Sequence, residues 1–125
     1  RAVRTTHSTV AASGWRFDGA VIGDDDAPTG APIRFTVAEA TLMRVYLGIA
    51  IGRHPGLCEI AIPDASLSRR HARLTRTGDG LAIEDLHSLN GVWIDGRRLP
   101  IFKPTALPLG AELVLARARL SVARC

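Results

Sequence analysis

The apolar residues of this chain come in short runs, many of them alternating, and glycine, proline, aspartate or asparagine cuts each run after a few residues. Alternation puts successive side chains on opposite faces of an extended strand, so these runs read as half-buried strands rather than helices. Turn signals recur roughly every 8–12 residues, the spacing of an all-β sandwich or barrel. WRFDGAVI (15–22) predicts a first strand, GDDDAPTGAP a loop, and IRFTV (33–37) a second strand. Residues 38–52 fit two patterns: Leu42, Val45, Tyr46 and Ile49 lie at helical spacing, whereas Val45, Leu47, Ile49 and Ile51 alternate. Gly48 disfavours a helix, so a strand ending at Gly52 is expected, after a turn or short helical piece near 38–42. Further strands are expected at 59–62, around Ala72 and Leu74, and at 81–86, with a turn at Thr77-Gly78-Asp79-Gly80. Residues 92–94 and 97–99 flank Asp95-Gly96, a two-residue hairpin signal that needs positive φ at both positions. Residues 113–115 and 120–122 make a last hairpin.

At 125 residues the chain suits one domain with one core. No apolar run approaches the ~18–20 residues that cross a bilayer, and Arg1 to Ala12 lack the apolar stretch of a signal peptide. Residues 1–13 read as a linker or tail and 14–125 as the domain. With no initiating Met, the chain reads as a piece of a longer, cytoplasmic protein. A membrane-anchored protein with this part in the cytoplasm fits the same composition. The net charge of +4 is carried almost wholly by arginine, Lys103 being the only lysine. That bias, with abundant alanine and glycine, suits a GC-rich bacterial genome. Arginine's planar fork suits carboxylate and phosphate. Cys58 and Cys125 form no CxxC pair, so neither a disulfide framework nor a metal site is expected.

Three loops carry more specific residues than a turn requires. In Gly52-Arg53-His54-Pro55-Gly56, Arg53 follows an apolar strand; it is either a solvated strand end or a fixed guanidinium that grips an oxyanion. In Ser66-Leu67-Ser68-Arg69-Arg70-His71, Ser68 offers a hydroxyl and Arg69 and Arg70 positive charge, or a solvated edge. His71 reads best as a buried histidine pinning the loop to backbone groups. In Asp85-Leu86-His87-Ser88-Leu89-Asn90-Gly91, Gly91 is expected in a backbone shape closed to other residues. Asn90 is a turn former or an amide that matches an extended peptide's backbone. Together the loops suggest a positive pocket for a phosphorylated residue, with its −1.5 to −2 charge and three acceptor oxygens (approximate values).

The run IGRHPG…CEIAIPDASLSRRHARL…LAIEDLHSLNGVWIDGRRL…LPLGAELVL resembles a forkhead-associated (FHA) domain in order, spacing and flanking apolar residues, across roughly residues 15–124. The resemblance implies a β-sandwich of about eleven mostly antiparallel strands with the ligand at loops on one end. It implies that Arg53 and Ser68 contact phosphate, Arg69 touches the phosphorylated residue, and Asn90 holds the peptide backbone. Gly52, His71 and Gly91 would shape the loops, and Asp85 and Ser88 brace the third. His54, Arg70 and Leu89 are expected modulators. Two positions depart from the family pattern: Leu89 stands where many members have threonine or serine, and Val92 where threonine is usual. His54 would add charge, and affinity, below about pH 6.5.

The implied function is phosphothreonine recognition in Ser/Thr-kinase signalling or phospho-dependent assembly, the partner being a kinase or its substrate. A phosphate-independent scaffold of the same fold is the first alternative, because Leu89 removes a hydroxyl, and a nucleic-acid-binding module, which fifteen arginines permit, the second. Ser68, Asp85 and His71 or His87 supply only the letters of a hydrolase triad, without a G-x-S-x-G elbow. His54, Cys58 and His71 lack metal-ligand spacing. Neither catalysis nor a cofactor nor a metal is expected. Six aromatic residues, most at core-like positions, leave few stacking platforms, so no nucleic acid is expected as partner. No membrane contact by the domain itself and a monomer or weak dimer complete the reading.

Overall fold

The computed structural model describes residues 13–78 and 80–125. Most of the expected linker, and Asp79 of the expected turn, lie outside the described residues. Eleven strands, numbered in chain order, build two sheets. In spatial order the first holds β2 (Pro28–Ala38), β1 (Gly14–Ile22), β11 (Ala118–Arg124), β10 (Glu112–Leu115), β7 (Val92–Ile94) and β8 (Arg97–Arg98). The second holds β4 (Ile60–Ala61), β3 (Ile49–Gly52), β5 (Ala72–Thr77), β6 (Gly80–Asp85) and β9 (Thr105–Leu107). Among the described strands only β3 and β4 pair in parallel, and an isolated parallel bridge joins Asp85 to Ile101. Among the described residues a single short helix, α1 (Glu39–Arg44), joins β2 to β3. The sandwich expected from the sequence is the observed architecture.

Alternation sets the core. Along β11, Ala118, Leu120 and Val122 are buried while Arg119 and Ser121 face water. Trp15, Phe17, Leu113 and Leu115 of the first sheet meet Ile51, Leu74 and Ile83 of the second in one cluster. Each such side chain contributes about 1.5–3 kcal/mol by leaving water. Among the described residues, no helix is long and apolar enough to cross a membrane.

Local expectations fail in three places. The expected loop at 23–32 is shorter, because β2 already begins at Pro28 and pairs Thr29 with Val21 across an irregularity in β1. β2 is an edge strand, where the missing proline N–H faces no partner. The expected strand through Val45 and Leu47 does not form: α1 runs to Arg44, Tyr46 and Leu47 are 95% and 69% exposed, and Gly48 turns at φ +85°. A Cβ on Gly48 would meet the Leu74 carbonyl at 2.4 Å, so the strand starts only at Ile49. Finally, β9 was not anticipated. It is three residues that pair with β6 through Leu81 and Leu107.

Register then assembles the functional end. Ile51 pairs with Ala72, and Ala72 with Asp85. The end of β3, the start of β5 and the end of β6 therefore lie side by side, and the three singled-out loops rise together from one end of the sheet. The Asp95-Gly96 hairpin has φ +49° and +81°, as a two-residue turn of this kind requires.

Candidate functional site

Gly52 lets the first two loops touch. A Cβ there would lie 2.3 Å from the Arg69 carbonyl oxygen, so any side chain would push the loops apart. Across this contact the Arg53 N–H donates to the Ser68 carbonyl at 3.0 Å and the His54 N–H to the Arg69 carbonyl at 3.2 Å. The Arg53 Nε–H donates to the Leu67 carbonyl at 3.0 Å. That bond anchors the exposed side chain at its inner nitrogen and leaves both terminal amino groups without a partner among the described residues. Leu67 itself is buried and plugs the second loop into the core between two serines. The Cys58 thiol donates to the Arg69 carbonyl at 3.0 Å, and burial pushes its pKa up, which makes it a packing group.

His71 joins the second loop to the third. Its Nδ1 accepts the Ser68 N–H at 3.0 Å, and its Nε2 lies 2.7 Å from the Gly91 carbonyl. An acceptor at Nδ1 and a donor at Nε2 define the neutral Nε2–H tautomer. Burial lowers its pKa, against the opposing pull of the Gly91 carbonyl and the Asp85 charge. With both nitrogens committed to backbone, His71 is neither a base for Ser68 nor a free metal ligand. Among the described residues no three His, Cys, Asp or Glu side chains gather around a common point.

The third loop is tied internally. Buried Asp85 accepts the Ser88 N–H through Oδ1 at 2.8 Å, and the Ser88 hydroxyl accepts the Gly91 N–H at 3.0 Å. Gly91 has φ +87°, a region that disfavours any side chain. Two bonds carry this loop onto the second: the Leu89 N–H donates to Ser68 Oγ at 3.0 Å, and Asn90 Nδ2 donates to the Ser66 carbonyl at 2.9 Å. Ser68 Oγ, acting as acceptor there, keeps its own proton for a ligand. Asn90 keeps its Oδ1 and one N–H. The Leu89 side chain is 83% exposed; its backbone, not its side chain, holds the serine.

Sequence reasoning passed over Ser66, Asp64 and Arg117. Ser66 carries Asn90 on its carbonyl, while its backbone and hydroxyl both donate to Asp64. Those bonds hold the Asp64 carboxyl below the usual carboxylate range. The Arg117 N–H, from the β10–β11 turn, donates to Ser66 Oγ at 3.3 Å. The sequence signal available was the Asp-x-Ser spacing of a local turn, but its partner in the third loop is 24 residues away. His54 accepts the Gly56 N–H at Nδ1 at 3.0 Å, a bond a doubly protonated ring would lose.

The arginines divide into paired and unpaired. Arg16, Arg34, Arg73, Arg76, Arg117, Arg119 and Arg124 each hold a carboxylate. Arg53, Arg69 and Arg70, on the apical loops, and Arg98 beside them join no ion pair among the described residues, and all are exposed; Arg44 on α1 and Arg97 on β8 are likewise exposed and without an ion pair there. The apical end thus gathers three arginines that join no ion pair among the described residues, over loops hydrogen-bonded to one another. A groove of about 450 Å³ between β2 and β4 is elsewhere, and its Arg34 is already tied to Asp18.

Comparison with known proteins agrees with this geometry. The family model described as "FHA domain" matches residues 49–116, the span that contains all three loops. The oxoglutarate dehydrogenase inhibitor of Corynebacterium jeikeium is 31% identical over 112 residues, covering 86% of this chain and 75% of that protein. The glycogen accumulation regulator GarA of Mycolicibacterium smegmatis is 30% identical over 107 residues, 82% of this chain and 65% of that protein. The FHA domain of the CT664 protein from Chlamydia trachomatis superposes with a TM-score of 0.68 at 21% identity, over 89% of this chain and 97% of that one. The chain belongs to the forkhead-associated family.

Proposed function

We propose that this FHA domain binds phosphothreonine-containing protein segments at its apical loops, with Arg53 and Ser68 on the phosphate, Arg69 beside it, and Asn90 on the peptide backbone. The observation that carries the reading is the Arg53 guanidinium, fixed through Nε to the Leu67 carbonyl, with neither a partner at its outer nitrogens nor an ion pair among the described residues. FHA modules read phospho-motifs through arginine clusters, and a fixed fork presents two parallel charge-assisted bonds at little entropic cost.

The activity is binding, not catalysis: an arginine fork, a hydroxyl and an amide recognise a phosphorylated side chain without breaking a bond. Two similar proteins bear the names of an enzyme inhibitor and a regulator. A cytoplasmic regulatory role, in which a Ser/Thr kinase or its substrate is the partner, extends those names to this chain. The test is a phosphothreonine peptide library against matched unphosphorylated peptides. Phosphorylated peptides bind and Arg53→Ala sharply weakens their binding; equal binding of both forms overturns the reading in favour of a phosphate-independent scaffold.

A further inference from the structure

We propose that Arg98 reads a second anionic group on the bound segment, a side chain flanking the phosphothreonine. The proposal rests on the reading of Asn90 as the residue that holds the peptide backbone.

Arg98 sits opposite Trp93 in the β7–β8 pairing, and its guanidinium carbon lies 5.2 Å from the Trp93 ring centroid. Val92 is buried, so strand alternation turns Trp93 and Arg98 toward the outer face of the sheet. A Cβ on Gly91 would come within 2.8 Å of both Arg98 Nε and the Trp93 ring. The stacked pair therefore folds into the notch that Gly91 leaves, one residue from Asn90. Stacking on the indole orients the guanidinium before any ligand arrives.

Its charge is uncompensated. Arg119, on the same outer face three strands away, is held by Asp26 and Glu112, whereas Arg98 joins no ion pair among the described residues. Arg53 and Ser68 belong to the first two loops, and Arg98 flanks the third. A segment lying over Asn90 presents its phosphothreonine to one side and a neighbouring side chain to the other. The partner chemistry is a carboxylate of aspartate or glutamate, or a second phosphate.

The experiment titrates wild type, Arg98→Gln and Arg98→Lys with phosphothreonine peptides that are otherwise alanine, scanning aspartate, lysine or phosphoserine through the flanking positions. At one position aspartate tightens binding to wild type by about two- to fivefold, as an exposed ion pair does, and lysine weakens it. The gain disappears in Arg98→Gln, survives in part in Arg98→Lys, and shrinks with salt. A gain seen only with phosphoserine assigns the site to a second phosphate; a gain with aspartate assigns it to a carboxylate. No position with an anionic gain, or a gain retained in Arg98→Gln, overturns the proposal. Failure of the phosphothreonine reading looks different, since then wild type does not distinguish the all-alanine phosphopeptide from its unphosphorylated form.

Discussion

The outer faces of the sheets and the apical end use the same residue in opposite ways. On the faces, arginines are neutralised: Arg73 by Glu84, Arg76 and Arg124 by Glu39, Arg119 by Asp26. At the apex, Arg53, Arg69 and Arg70 stand without carboxylates over loops whose backbone groups are extensively hydrogen-bonded to one another. On the proposed function, the difference separates charge used for solubility and modest stability from charge that meets a ligand. An anion that chose among surface arginines by charge alone would have many equivalent sites; Arg53 differs in being anchored through Nε to the Leu67 carbonyl, next to the loop that carries Ser68.

The largest expected effect breaks that contrast at its centre. Arg53→Ala removes charge-assisted bonds worth about 1.5–3 kcal/mol each, so phosphopeptide affinity measured by titration calorimetry falls about 30-fold or more, with the melting temperature little changed. The next effect is on the scaffold. His71→Ala leaves the buried Ser68 N–H and Gly91 carbonyl without a partner, costing about 2–5 kcal/mol in urea unfolding. The same histidine sets a pH dependence. Its folded ring stays neutral because burial lowers its pKa, while an unfolded histidine takes a proton below about pH 6.5. Stability is therefore complete above about pH 6.5 and falls as pH drops toward the lowered value, by at most about 1.4 kcal/mol per unit. Urea midpoints at pH 7.5, 6.5 and 5.5 read this slope directly, above the range in which carboxylates titrate.

Smaller effects sharpen the comparison. Leu89→Thr adds a hydroxyl at an exposed apical position, and tightens phosphopeptide binding by up to about tenfold, the lower end for one charge-assisted bond. An unchanged or weaker affinity would show that the position does not face the phosphate. The smallest effect belongs to the faces: Arg119→Ala breaks exposed pairs to Asp26 and Glu112, costs about 1 kcal/mol of stability or less, and leaves phosphopeptide affinity unchanged.

Legibility also differs between the two regions. The apical loops were readable because each contains residues a plain turn does not need: Arg53 after a strand, His71 before one, Asn90-Gly91 between two. Gly91 could be assigned a positive φ from its type and place, and Gly52 a loop-shaping role. What escaped depends on contacts far along the chain. β9, between prolines and only three residues long, exists through its pairing with β6. The start of β2 was hidden by Pro28 and Pro32, which an edge strand tolerates. Val45 to Gly48 alternated like a strand, yet Gly48 has to turn there to clear Leu74 and Thr75. The Ser66 carbonyl under Asn90 has no local signature, because its partner lies in another loop.

The most direct measurement is a crystal structure of the domain with a bound phosphothreonine peptide. The account predicts phosphate oxygens within hydrogen-bond distance of the Arg53 outer nitrogens and Ser68 Oγ, with the Asn90 amide on the peptide backbone. A peptide seated elsewhere, or a phosphate held by arginines of the sheet faces with Arg53 untouched, would contradict it.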